Sequence, residues 1–122
     1  MKEQVRDLGR LEHIITAVEN IEDFTVDMTL AQFKADKRTY FAVVKNIEII
    51  GEAVYKLTNE FKDSEPELPW TLMEKMRHVL VHDYYNISAE VVWDVVTVDL
   101  PSIKPQLIQL YKKYNNQNEN MT

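Results

Sequence analysis

The chain of 122 residues contains no cysteine, so disulfide frameworks and thiolate metal sites are excluded. It has only two glycines and four prolines. A small all-β fold needs a turn every few residues, and that scarcity of turn formers argues against one. No segment approaches the roughly 18 apolar residues of a membrane span. The start, Met1-Lys2-Glu3-Gln4-Val5-Arg6-Asp7, is charged and lacks the apolar run of a signal peptide. A cytoplasmic protein without a membrane partner is the expectation. A general positive charge is also missing. Fourteen Lys and Arg face twenty Asp and Glu, a net −6. Nucleic-acid binders usually carry a basic face, so any RNA-directed cation here must be local. What the chain does have is 45% hydrophobic residues, enough for the core of a single domain.

The hydrophobic periodicity is helical throughout. Lys2 to about Ile21 reads as a first helix with Leu8, Leu11, Ile15 and Val18 on one face. Residues 22–28 read as a link, and Thr29 as the cap of a short helical piece through Lys34. A long helix is expected from about Asp36 to Phe61, with a stripe of Phe41, Val44, Ile47, Val54, Leu57 and Phe61. Gly51 inside it costs about 1 kcal/mol against alanine and suits close approach of another helix. Glu48 and Glu52 lie beside the stripe, as solvated or structural carboxylates or as residues orienting an arginine. Lys62–Leu68 reads as a loop. Pro69 suits the first turn of a helix that carries Trp70, Met73, Met76 and Leu80 and ends near Val81. Ser88 is the expected cap of the next element. Val91–Val98 favours a strand by propensity but has no strand to pair with, so a helix with Val91, Val92, Val95 and Val98 inside is the better reading. A last helix is expected over Ser102–Tyr114. Residues 1–115 form one domain on this reading, an up-and-down all-α bundle of four or five helices, and 116–122 a frayed tail.

The segment Met76-Arg77-His78-Val79-Leu80-Val81-His82-Asp83-Tyr84-Tyr85 concentrates chemistry. Arginine supplies a permanent charge on a planar fork that matches phosphate oxygens. Histidine moves protons near neutral pH. RNA cleavage without a metal needs both: a base for the ribose 2′-hydroxyl, an acid for the leaving 5′-oxygen, and a cation for the charge on phosphorus. On a continuous helix Arg77 and His82 sit about 140° apart. They converge only if the helix ends near Val81 and His82 swings inward, or if a second subunit completes the site. Structural roles stand beside the catalytic one. An arginine near a helix C-terminus neutralises the dipole and bonds the last carbonyls, and His82 fits a hydrogen-bonded core position. His78 and His82 have the spacing of helical metal pairs, with Asp83 as a third ligand. No Glu follows His78 and no other His is near in sequence, which argues against a metal site. No cofactor is expected. Trp70 and Trp93 read as core or interface anchors, His13 as packing or surface.

Arg77-His78-Val79-Leu80-Val81-His82-Asp83-Tyr84 resembles the Arg-x4-His-x-Tyr signature of the HepT toxins of the HEPN superfamily. The resemblance extends through Arg10-Leu11-Glu12-His13-Ile14, Asn46-Ile47-Glu48-Ile49-Ile50-Gly51-Glu52-Ala53, Pro69-Trp70, Val92-Trp93 and Asp99-Leu100-Pro101. It implies a HEPN-like helical bundle that forms a homodimer with the two motifs lining one cleft. It implies a metal-independent endoribonuclease, the toxin of a toxin–antitoxin pair, with Arg77 and His82 catalytic. The implied partner is a minimal nucleotidyltransferase antitoxin that transfers AMP to Tyr84. His78 and Tyr85 receive no role. The alternatives are a non-catalytic module that binds such a nucleotidyltransferase, which the acidic charge favours, and a helical protein that holds a nucleotide.

Overall fold

The computed structural model describes residues 2–83 and 88–121, with side chains described for 6–76 and 88–117. The described residues contain no strand, and the expected all-α bundle is what they form. The first helix, α1 (Lys2–Thr25), runs past the expected end at Ile21. Nothing in Glu22-Asp23-Phe24 breaks a helix, and the chain turns instead at Asp27, whose φ of 57° is left-handed. The buried stripe of α1 is Leu11, Ile14, Ala17, Val18 and Ile21, rotated from the expected one so that Leu8 and Ile15 are only half-buried.

The short α2 (Leu30–Ala35) starts where Thr29 was expected to cap it. Thr29 Oγ1 accepts from the Gln32 N–H at 3.2 Å, and Gln32 Oε1 accepts from the Thr29 N–H at 2.8 Å, a reciprocal capping box. Helix α3 (Lys37–Lys56) is capped by Asp36, whose carboxylate accepts from the Thr39 N–H and hydroxyl. Those hydrogen bonds hold the Asp36 carboxyl below the usual range. Inside α3, Val43, Ile47, Ile50 and Val54 are buried, whereas Phe41 is 60% exposed and leaves the expected stripe. Gly51 is buried, as close helix packing requires.

The expected continuation of α3 to Phe61 does not occur. Leu57 turns extended, and a separate α4 (Asn59–Ser64) begins, capped by Thr58. The cause is tertiary. The buried Asp7 carboxylate of α1 accepts from the Thr58 N–H at 2.9 Å and its hydroxyl at 2.6 Å. A backbone donor bonded there is not continuing the helical ladder. Lys62–Ser64, expected as loop, is thus helix.

Pro69 precedes α5 (Trp70–Asp83), and its carbonyl accepts from the Met73 N–H at 3.0 Å. Ser88 caps α6 (Ala89–Asp94) as expected, accepting from the Val91 N–H. A π turn over Val95–Asp99 leads into α7 (Leu100–Met121) without a break in helical backbone. Helix is therefore the correct reading of 91–98, but the buried positions are Val92 and Val96, while Val91 and Val98 are exposed. The wide turn has two causes. Pro101 has no N–H to donate backward, and a π turn accommodates such a gap. It also keeps Val92, Val96 and Leu100, spaced four apart, in one inward line with Ile103, Leu107 and Leu110. Helix α7 extends through residues 115–121, beyond the expected end at Tyr114.

The bundle is organised on α3. Helix α1 packs on one flank and α5 on another, α7 lies against α1, and α2 joins α3 to α6. Phe33 of α2 fills the space under α6, fully buried, with ring centroids 5.0 Å from Trp93 and 5.8 Å from Tyr40.

Candidate active-site helix and the faces around it

The motif lies on α5, and its direction follows from contacts at its first turn. Lys62 of α4 donates from Nζ to the Val54 carbonyl near the end of α3, at 3.3 Å, and pairs with Glu74 of α5 at 3.9 Å. Phe61 packs its ring 6.1 Å from Trp70. The start of α5 thus sits at the end of α3, and α5 runs back along it. Trp70 is anchored further by its indole N–H, which donates to the Glu65 carbonyl at 2.9 Å. That is the core-anchor role expected for it, and Trp93 is likewise packed in the bundle.

Arg77, His78 and His82 are positions on the α5 backbone, and Tyr84 and Tyr85 lie outside the described residues. The helix carries through Asp83, so it includes position 82 rather than ending near Val81. Register then separates the pair. Trp70, Met73 and Met76 are buried and define the inward sector of α5. At about 100° per residue, position 77 falls about 40° from Met73, within that sector, and position 82 about 180° from it, on the opposite side. Of the two routes by which a single Arg and His could meet, the terminated helix is not the one the backbone takes.

The outward side of α3 and α5 carries large apolar groups. Phe41 and Tyr55 on α3 and Leu72 on α5 are 60%, 58% and 47% exposed. Next to this apolar face, α3 forms a groove of about 390 Å³ with α1. Glu48 and Glu52 line it, together with Arg10, His13, Lys45 and Lys56. Lys45 Nζ lies 3.5 Å from Glu48. Arg10 is fixed: its Nη1 donates to the Lys56 carbonyl at 2.6 Å and lies 3.7 Å from Asp7. His13 is exposed, on the surface side of the two roles expected for it. The signal for this groove was present in sequence as Lys45, Glu48, Glu52 and Lys56 at three- and four-residue steps on one helix face.

Two buried acids have no counterpart in the sequence reading, Asp7 and Glu65. Glu65, on the link between α4 and α5, is 5% exposed and accepts from Lys113 Nζ at 2.7 Å and the Tyr114 hydroxyl at 3.2 Å. Burial pushes its carboxyl up, but the two hydrogen bonds and the Lys113 charge bring it net below the usual range. The same contact raises Lys113. This cluster ties the link before α5 to α7 and has no local sequence signature. No group of three His, Asp or Glu gathers as a metal-ligand set among the described residues. No helix among them is long and apolar enough to cross a membrane.

The all-α bundle with an Arg-x4-His helix packed on a central helix is the setting in which comparison with known proteins becomes informative. The family model described as ribonuclease HepT-like matches residues 14–110. A protein of Thermococcus cleftensis named "Probable ribonuclease HepT" is 43% identical over 102 residues, covering 84% of this chain and 93% of that protein. A protein of Methanocaldococcus jannaschii named a "Putative RNase" is 36% identical over 110 residues, covering 90% of this chain and 91% of its own. No solved structure matches the chain. The chain belongs to the ribonuclease HepT-like family.

Proposed function

We propose that this chain is the toxin of a toxin–antitoxin pair, an endoribonuclease that cuts RNA without a metal at a cleft between two copies. The observation that carries the reading is the family's Arg-x4-His-x-Tyr signature, intact from Arg77 to Tyr84, in a chain matched by the family model over most of its length. In the proposed reaction His82 takes the proton from a ribose 2′-hydroxyl, whose oxygen attacks the adjacent phosphorus. The bond to the 5′-oxygen breaks, and the imidazolium returns its proton to that leaving oxygen. Arg77 holds the non-bridging oxygens as their charge builds. The products are a 2′,3′-cyclic phosphate and a 5′-hydroxyl.

Two features support a cleft between copies. Positions 77 and 82 fall about 140° apart around α5, a spacing that a site shared between two helices accommodates. The exposed Phe41, Tyr55 and Leu72 are the large apolar groups an interface would bury. A two-fold cleft also doubles the local positive charge on an acidic chain. Tyr84 is the proposed site of silencing. Transfer of AMP to its phenol by a nucleotidyltransferase antitoxin adds bulk and a phosphodiester charge beside Arg77 and His82, where substrate phosphate would bind.

The test is cleavage of RNA by purified protein in EDTA, with analysis of the ends. Arg77→Ala and His82→Ala are expected each to abolish cleavage. Mixing the two inactive variants under conditions that exchange subunits is expected to restore about a quarter of wild-type activity. Half the dimers are then mixed, and half of their two-fold sites hold an intact Arg77 and His82. Retained cleavage by either single variant sinks the chemistry, and an absence of rescue sinks the shared cleft. Intact mass after co-expression with a nucleotidyltransferase checks Tyr84. The net charge of −6 favours a second reading, a non-catalytic module that holds the nucleotidyltransferase. Growth arrest on expression that His82→Ala removes excludes it.

A further inference from the structure

We propose that the groove between α1 and α3 is a nucleotide-sized subsite that grips a phosphate of the flanking RNA strand through Lys45, Lys56 and His13. The inference rests on the ribonuclease reading and locates part of that enzyme's substrate.

Charge is the first argument. The chain is acidic overall, yet this groove gathers Arg10, Lys45 and Lys56 against Glu48 and Glu52, with His13 between them. The cations are not equivalent. Arg10 is spent structurally, on the Lys56 carbonyl and Asp7. Lys45 leans on Glu48 but is 69% exposed and can swing to a ligand. The Lys56 ammonium and the His13 ring have no side-chain partner among the described residues. Their charge and donors are available, and Arg10 holds the backbone beneath Lys56 in place.

Size and shape come next. A volume of about 390 Å³ suits one nucleotide and is far too small for a duplex face. Ile49 is 37% exposed and gives a base an apolar surface. The Glu48 carboxylate, at the groove wall, can accept from a base amino or ribose hydroxyl group, which phosphate alone would not use. A mixed lining of this kind fits an extended single strand better than an inorganic anion.

Position completes the case. Helices α1 and α5 both pack against α3, so the groove and the motif helix are carried by the same central helix.

The test uses the full chain and a single-stranded RNA with 2′-O-methyl riboses, which lacks the nucleophile and reports binding without cleavage. Lys45→Gln with Lys56→Gln is expected to weaken binding about tenfold. It also lowers the slope of log affinity against log salt by about 0.7, the contribution of one neutralised phosphate on a single strand. With unmodified RNA, KM rises and kcat stays near wild type. Lys112→Gln, an exposed cation of α7 outside the groove, leaves all three unchanged. Both lysines are exposed, and circular dichroism confirms the variants fold. Wild-type affinity and salt slope in the double variant overturn the subsite while leaving the ribonuclease reading standing. A wild-type protein that neither cleaves RNA nor binds the analogue overturns both.

Discussion

Replacing Asp7 with alanine removes the acid that sets the corner between α3 and α4, and the size of the loss can be worked out from its contacts. The carboxylate is 2% exposed and accepts from the Thr58 N–H at 2.9 Å and the Thr58 hydroxyl at 2.6 Å. Hydrogen bonds to an ionised acceptor contribute about 1.5–3 kcal/mol each. Alanine leaves both Thr58 donors without that acceptor. Thr58 is only half-buried, so water recovers part of the loss. Arg10 keeps its bond to the Lys56 carbonyl, and its side chain, 28% exposed, regains hydration. The low end of the range is therefore appropriate, a loss of about 3 kcal/mol for the pair. In urea the midpoint falls and the slope stays constant, because the surface exposed on unfolding is unchanged. The melting temperature drops by about 10 °C for a domain of this size. Thr58→Val removes the hydroxyl that both bonds Asp7 and caps α4 at the Phe61 N–H, and costs about 2–3 kcal/mol, the charge-assisted bond plus the lost cap. The double variant separates the two effects, with a coupling of about 1 kcal/mol or more between positions 7 and 58. Glu12→Ala, exposed on the same helix, stays within about 0.5 kcal/mol of wild type. A loss below about 1 kcal/mol for Asp7→Ala, or no coupling to Thr58, refutes the claim that this acid breaks the helix.

Two further outcomes follow from the packing. The Glu65 carboxyl is lowered, so its contribution to stability is complete above its ordinary 4.5 and is lost as pH falls through its lower folded value. Lys113 is raised, so its share is complete below its ordinary 10.5 and lost above its folded value. Stability measured by urea unfolding is expected to fall on the acid side in wild type and to fall less steeply in Glu65→Gln, and parallel acid limbs refute the assignment. Phe33→Ala removes a fully buried ring packed at a tilt against Trp93 and Tyr40, and is expected to cost about 3–5 kcal/mol in the same assay. A cost below about 1 kcal/mol would mean that α2 does not close the core under α6.

What was legible in the sequence was what neighbouring residues decide among themselves. Thr29 and Ser88 read correctly as caps because a hydroxyl and an N–H three residues on meet whatever the rest of the chain does. The helical reading of Val91–Val98 held because a lone strand has nothing to pair with, even though propensity favoured one. What was not legible depends on partners far along the chain. The break at Leu57–Thr58 is made by Asp7, 51 residues away from Thr58, and no local pattern announces it. The phase of the α3 stripe, by contrast, follows from the helical period. Phe41 and Val54 are thirteen residues apart, about 140° around one helix, so one buried face takes Val54 and leaves Phe41 exposed. The motif divides along the same line. Residue types at a spacing are chemistry and can be read directly, so Arg77 and His82 stood out as a pair. Whether two such groups share a phosphate depends on where their helix stops, and that is set by capping and packing beyond the motif. With α5 carried through Asp83, five residues of separation place the two positions on different sides of one helix. The spacing is therefore a question for experiment, and mixing two dead variants asks it directly, because only a site shared between copies is restored by the mixture.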